Sequence, residues 1–270
     1  MRRLAAALVL AALVWPGAAA GERWRPDVRG AAEWAQGRQG TISFAVRTDD
    51  RLAGRAMDRD FPSASVVKAM MLVTYLRRPG VRSRALERAD RRLLAPMVRW
   101  SDNVAATRVR DLVGNEAIAR LSRAAGMTRF RIDPVWGRSI ITARDQTRFF
   151  LRIERLLPDR HRAYAMRLLR TIVPSQRWGM GRAIPEGWRL YFKGGWGDHT
   201  GAVDHQVGLL RRGTHRVAVA VLTVGNPSPA YGNATLEGIF RRLTRELGPQ
   251  LRGSAGPAQG FLSRRLSTLG

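Results

Sequence analysis

Residues 65–76 read SVVKAMMLVTYL, and Lys68 is the only charge among them. The rest of the chain is densely charged, with a formal net charge of +26 over 270 residues. The run is long enough for about three turns of helix. A helix that is apolar all round has no face to offer water, so other elements must wrap it on every side. That demands layers of secondary structure around one central helix. It also takes a single amine out of water.

Of the 47 basic residues, only Lys68 and Lys193 are lysine; all the others are arginine. A guanidinium stays protonated, whereas a desolvated amine can lose its proton and act as a base. The two lysines are read as positions that need an amine. Chance survival under a bias toward arginine is the plainer explanation.

The length and a 45% hydrophobic content suit one sizeable domain with a real core. MRRLAAALVLAALVWPGAAA has a basic start, an apolar run and a small-residue end, the pattern of a secretory signal cut after Ala20. Trp15-Pro16-Gly17 interrupts a run already short for a membrane anchor, and Arg2-Arg3 is compatible with twin-arginine export. The expected organisation is a signal at 1–20, a working domain at 21–250 with a helical subdomain over about 64–186, and a loose tail at 251–270. The location is secreted or cell-envelope. There is no cysteine, which excludes disulfides, thiolate catalysis and Cys-ligated metals. With four histidines, no metal or other cofactor is expected. The arginines are scattered, without a basic block or interleaved aromatics, so no nucleic-acid partner is expected. A solvated basic surface fits better, with anionic envelope polymers as non-specific partners of a monomer.

Periodicity and punctuation give a helix over 27–36 and a hairpin of strands at 41–46 and 52–57. The buried helix at 65–76 is stopped by Arg-Arg-Pro-Gly at 77–80. Helical segments follow at about 84–98, 102–112, 115–125, 143–156 and 159–172, with an irregular stretch at 126–141. Thr142 and Asp145 look like an N-cap with an acidic third position. Strands at 188–195, 202–210 and 215–224 and a helix at about 230–247 complete the pattern. Strands at both ends of the chain close one antiparallel sheet, and the helices between them form an inserted subdomain. This is an α+β chain: an α/β sandwich plus an all-α part, with a cleft between.

Three short motifs carry chemistry. Ser65-Val-Val-Lys68 sets a hydroxyl and an amine three residues apart, on one helix face. The helix start favours a developing oxyanion. A plain N-cap also explains Ser65. Ser101-Asp102-Asn103 precedes a helix, and capping explains it cheaply. Lys193-Gly194-Gly195 ends an apolar strand, and a glycine turn explains that.

As an ordered set, Ser-x-x-Lys, Ser-Asp-Asn and Lys-x-Gly resemble the penicillin-recognising serine enzymes, in particular class A β-lactamases, over about residues 25–250. The resemblance implies a five-stranded antiparallel sheet flanked by helices beside a helical subdomain. It implies an exported serine hydrolase that works through an acyl-enzyme on a β-lactam or related amide. Ser65 is then the nucleophile, Lys68 its base, and Ser101 the relay to the leaving nitrogen. Lys193 supplies positive charge near the substrate carboxylate, and Asn103 binds the substrate amide. The N–H groups of Ser65 and Trp196, next to Gly195, form the oxyanion hole. A D-alanyl-D-alanine peptidase acting on peptidoglycan-type peptides, and a non-catalytic envelope-binding module, are the alternatives.

Two departures stand out. The family's third motif has a hydroxyl residue where this chain has Gly194, with Thr200, His199 or His205 as conceivable substitutes. The loop at 127–141 lacks the glutamate that activates the deacylating water. Its only carboxylate is Asp133, and Trp136 falls near the expected glutamate position. Slow deacylation is therefore expected.

Overall fold

The structure, a computed structural model, describes residues 24–197 and 202–247. The expected signal, the tail, His199 and Thr200 lie outside the described residues. The elements that frame the molecule are α1 (Val28–Gln36), β1 (Thr41–Arg47) and β2 (Leu52–Arg55) near the start. After them come a short pair, β3 (Phe61–Pro62) and later β4 (Ile140–Ile141), then β5 (Arg189–Gly197), β6 (Val203–Arg212) and β7 (His215–Val224). Between β3 and β5 lie α2 (Lys68–Leu76), α3 (Pro79–Arg82), α4 (Arg88–Arg99), α5 (Asn103–Val113), α6 (Asn115–Ala124), α7 (Ala143–Leu156) and α8 (Asp159–Arg170). The helix α9 (Pro229–Thr244) closes the described chain.

The main sheet has the order β2-β1-β7-β6-β5 and every pairing is antiparallel. The first and last strands of the sequence thus share one sheet, with β7 central and β1 beside it. Gly213-Thr214 joins β6 to β7 as a two-residue hairpin, with Arg212 paired to His215. Helices α1 and α9 pack together, and α7 packs on β1, β6 and β7. Cover on both sides explains why the inner strands read as continuous apolar runs: residues 217–223 of β7 are all buried.

Every residue of α2 is buried, as its sequence requires. It is surrounded by α4, α5, α6 and α8. Burying an aliphatic side chain is worth about 1.5–3 kcal/mol, so this one helix holds much of the helical subdomain together.

Several boundaries differ from expectation. The buried helix opens as a 3-10 turn, Ala64–Val67, before α2 proper. The helix expected from 84 begins at Arg88, and Pro79-Gly80 lie inside a separate helical turn. Strand β2 stops at Arg55 because Ala56 has φ +49°. Helix α9 ends at Thr244, short of the expected 247. The β3–β4 pair was not anticipated; it ties Phe61 to Ile141 and Pro62 to Ile140. Thr142 caps α7 as expected, accepting from Asp145 N at 3.2 Å. The Asp145 carboxylate turns to the loop instead, accepting from Thr128 N at 3.0 Å and Arg129 N at 2.7 Å.

The start of α4 depends on Asp90, which is buried. It accepts from Tyr75 Oη (2.6 Å), Arg84 Nη1 (2.7 Å) and Glu87 N (2.7 Å). Burial pushes its pKa up, but these donors outweigh that and bring it to about 2. A carboxyl whose folded pKa is depressed stabilises the protein above its unfolded pKa, and that contribution is lost as pH falls through the folded value. Asp90→Asn is therefore expected to lower stability by about 2 kcal/mol at neutral pH. Denaturant unfolding from pH 7 to pH 2 should show the gap between the two proteins closing as pH approaches 2. A gap independent of pH would show that the carboxylate charge is not what holds α4.

Candidate active site

Ser65 sits in the 3-10 turn between β3 and α2. With three residues per turn, side chains at i and i+3 eclipse, so Ser65 and Lys68 lie one above the other. The turn is anchored from several directions. Ser63 N donates to Ser139 O (2.7 Å), and Ser63 Oγ donates to Trp136 O (3.2 Å). Ala64 is held at φ +43°, a left-handed conformation disfavoured for a residue with a Cβ. Strand β5 presses against the same turn. A Cβ on Gly195 would lie 2.9 Å from Ser65 N and 3.0 Å from Val66 N, so only glycine lets the strand approach this closely. Trp196 is the next residue along that strand.

Lys68 is fully buried. Its Nζ donates to Ser101 O (2.5 Å), Asn103 Oδ1 (2.7 Å) and Ser101 Oγ (3.2 Å). Among the described residues its hydrogen bonds go to these two partners rather than to Ser65. The indole of Trp136 covers it, with the ring centroid 4.8 Å from Nζ. Burial lowers the Lys68 pKa to about 7, against an upward pull from Asp102. The amine is thus poised to exchange a proton at neutral pH. When neutral it has two N–H groups for the Ser101 and Asn103 oxygens and one lone pair left over.

Lys193 is also fully buried. It donates to Gly194 O (2.8 Å) and Ser101 Oγ (3.0 Å), and the Trp196 ring centroid lies 5.5 Å from its Nζ. Burial lowers its pKa well below the ordinary lysine value, and the neighbouring Lys68 lowers it further. Ser101 Oγ therefore lies within hydrogen-bond reach of both amines. If it accepts from both, its own O–H is free to donate to a third group. Ser101 is held at φ +59°, a second left-handed non-glycine residue beside the cluster.

The structure thus joins Lys68, Ser101, Asn103 and Lys193 by hydrogen bonds, with Ser65 one turn from Lys68 and Gly195 against Ser65. Asp102 does what a cap does, accepting from Ala105 N (2.7 Å) at the start of α5. His205 is excluded as a substitute for the missing hydroxyl. Its Nδ1 accepts from Thr223 N (3.0 Å), which places the proton on Nε2, bonded to Pro62 O (2.9 Å). Burial pushes its pKa down to about 4. Asp133 is occupied as a loop cap, its Oδ1 accepting from Val135 N at 2.7 Å. Among the described residues no group of three or more His, Cys, Asp or Glu could hold a metal ion. The sequence reading missed Thr107, which accepts from Trp136 Nε1 (3.1 Å) and steadies the indole. It also missed Trp178, packed edge to face on Trp196 at 5.7 Å. No motif marks either residue; both are found only through the fold.

Residues 89–248 match a family model described as "Beta-lactamase enzyme family". No curated protein matches the chain. Solved structures with a similar fold include a beta-lactamase from Sphaerobacter thermophilus, 21% identical, with a TM-score of 0.71 over 83% of this chain and 99% of that one. A beta lactamase from Xanthomonas campestris is 16% identical, with a TM-score of 0.71 over 82% of this chain and 97% of that one. A class A beta-lactamase representative from Bacteroides cellulosilyticus is 13% identical, with a TM-score of 0.71 over 83% and 99% respectively. At these identities the likeness speaks to the fold.

Because the chain has only two lysines, lysine labelled with 13C at Cε should give just two resonances to titrate by NMR. One, absent in Lys68→Arg, is expected to move with a midpoint near pH 7. The other, from Lys193, is expected to titrate well below the ordinary lysine range, because burial disfavours the ammonium. Two midpoints near 10.5 would show that neither amine is desolvated.

Proposed function

The chain belongs to the beta-lactamase enzyme family, within the penicillin-recognising serine enzymes, and we propose that it is an exported hydrolase that acylates on Ser65, using a β-lactam or a related strained or D-amino-acid amide. One observation carries this reading. A fully buried amine, hydrogen-bonded to Ser101 and Asn103, lies one turn from a serine in a chain that uses arginine almost everywhere else.

The residues suggest the following course. Neutral Lys68, held by the Ser101 and Asn103 oxygens, takes the Ser65 proton on its lone pair. Ser65 Oγ bonds to the substrate carbonyl carbon, and the C=O electron pair moves to oxygen. The backbone N–H groups of Ser65 and Trp196 stabilise that oxyanion. When the electron pair returns, the C–N bond breaks. Ser101 Oγ gives its proton to the leaving nitrogen and is reprotonated from the Lys68 ammonium. Asn103 faces the substrate amide. The net result is an ester on Ser65 and a free amine.

Deacylation lacks comparable support. It requires a held water and a group to take its proton. In the loop at 127–141 the Asp133 carboxylate is occupied by Val135 N, and an indole covers Lys68 from the Trp136 side. The same facts favour a second reading, a D-alanyl-D-alanine-directed peptidase, because such enzymes share the three motifs without the loop glutamate. Export rests on the signal-like first 20 residues, and exported protein is expected to begin near Gly21 by N-terminal sequencing. The basic surface would add non-specific contact with anionic envelope polymers.

Intact mass spectrometry with a penicillin is expected to show one adduct per chain, mapped to Ser65. A chromogenic cephalosporin should give a burst of about one equivalent and then a slow steady state. Sustained rapid turnover without a burst would point to an activated water, with Asp133 the first residue to replace. Lys68→Arg should slow acylation by about 10²–10⁴-fold although it keeps the charge. Near-normal acylation by that variant would remove Lys68 from the mechanism.

A further inference from the structure

The side of the cleft next to Lys193 is built unlike a carboxylate site. Lys193 offers no exposed charge: it is fully buried, and its hydrogen bonds run inward to Ser101 Oγ and Gly194 O. Desolvation also favours its neutral form. The hydroxyl missing at position 194 is replaced by something specific. A Cβ built on Gly194 would touch Trp178 Cη2 at 3.5 Å and Cζ2 at 3.6 Å. A side chain at this position would lie in van der Waals contact with that ring. The space is thus filled by the edge of an indole.

The Trp178 segment is fixed in place. Gln206, fully buried on β6, donates from Nε2 to Trp178 O (2.8 Å) and accepts from Met180 N (2.6 Å). Trp178 meets Trp196 edge to face, with ring planes at 82°. Trp196 is itself 39% exposed, open to a ligand. Four of the five exposed large hydrophobics among the described residues are chain neighbours of site residues: Trp100 beside Ser101, Val104 beside Asn103, Val135 beside Trp136 and Trp196 beside Gly195. Exposed apolar side chains next to site residues, on a chain of +26, suit an apolar ligand. Arg99, the guanidinium next to Trp100, donates to Thr171 O and lies 4.5 Å over the Trp100 ring.

We propose that the subsite bounded by Lys193, Trp178 and Trp196 takes an uncharged apolar group, best an aromatic one, where relatives of this fold would place a carboxylate. A flat neutral group meets the edge-to-face tryptophan pair on its own terms. A carboxylate there would lose its water beside an amine that is buried and committed to Ser101 Oγ and Gly194 O. A substrate with a free carboxylate at that place, β-lactam or peptide, is then disfavoured against its neutral counterpart.

The inference rests on Ser65 being acylated, and the test separates the two claims. Benzylpenicillin and its methyl ester share the same ring and side chain and differ in the carboxylate. Rates of adduct formation at pH 7, followed by intact mass, are expected to favour the ester by at least about tenfold, which is ~1.4 kcal/mol. The preference should fall toward parity in Trp196→Ala, a change at a half-exposed position that should not disturb folding. It should invert in the double variant Gly194→Ser with Trp178→Ala, which restores a hydroxyl and the room for it. Equal rates, or faster reaction of the free acid, with the wild-type protein would overturn the apolar subsite and leave the Ser65 reading intact. No adduct with either compound would overturn both.

Discussion

Two amines converge on one hydroxyl. Lys68 comes from the buried α2, Lys193 from the edge strand β5, and Ser101 from the strained turn before α5; their nitrogens lie 3.2 and 3.0 Å from Ser101 Oγ. No carboxylate hydrogen-bonds to either amine among the described residues. Two protonated ammoniums this close in a dry site would repel each other strongly. The arrangement is therefore stable only if at least one amine gives up its proton. Arginine cannot do so, and its planar fork would not fit between two backbone turns. This requirement explains why basic positions that are otherwise arginine are lysine at these two places. It also fits the architecture: Lys68 lies on a helix buried all round, and Lys193 lies on a sheet edge lined by Trp196 and Trp178.

The geometry is maintained against local strain. Ala64 and Ser101 both sit at positive φ, which disfavours each by about 1–2 kcal/mol. Their neighbours make the strained conformations hold. The 64–67 turn is tied to the 136–139 loop through Ser63 and to β6 through His205, whose Nε2–H bonds Pro62 O. Gly195 lets β5 lie directly on that turn. Because these ties come from three different parts of the chain, the site exists only in the completed fold.

The fold was legible because its signals are local and strong. The apolar run at 65–76, the adjacent strands at 202–210 and 215–224 and the cap at Thr142 each follow from side-chain pattern. The start of the helix at Arg88 was not, because Asp90 reaches back to Arg84 and Glu87 and fixes the boundary by contacts that periodicity does not encode. At the site, residue type and order marked Lys68, Ser101, Asn103 and Lys193, which the fold joins in one hydrogen-bonded cluster. The sequence could not reveal that Trp178 from a distant loop fills the space beside Gly194. Nor could it reveal that Trp136 is held over an amine by Thr107. Aromatic residues in irregular segments carry no periodic signal, so their targets are set by tertiary packing alone.

Trp136 links the two halves of the chemistry. Its ring shuts water away from Lys68, and desolvation is the main reason that amine titrates near 7. The ring face also attracts the ammonium form, which opposes the same shift. Desolvation prevails here, because an exposed cation–π contact is worth about 0.5–1 kcal/mol while burying a charged amine can shift its pKa by several units. On the proposed mechanism, the indole that helps make Lys68 a base is also a barrier to the water that deacylation needs. A glutamate in that loop would reverse both effects at once. Its charge would favour protonated Lys68, and its carboxylate would hold and activate water. That loop is one of the two places where the chain departs from the family's motifs, and on the proposed mechanism it sets how acylation is balanced against deacylation.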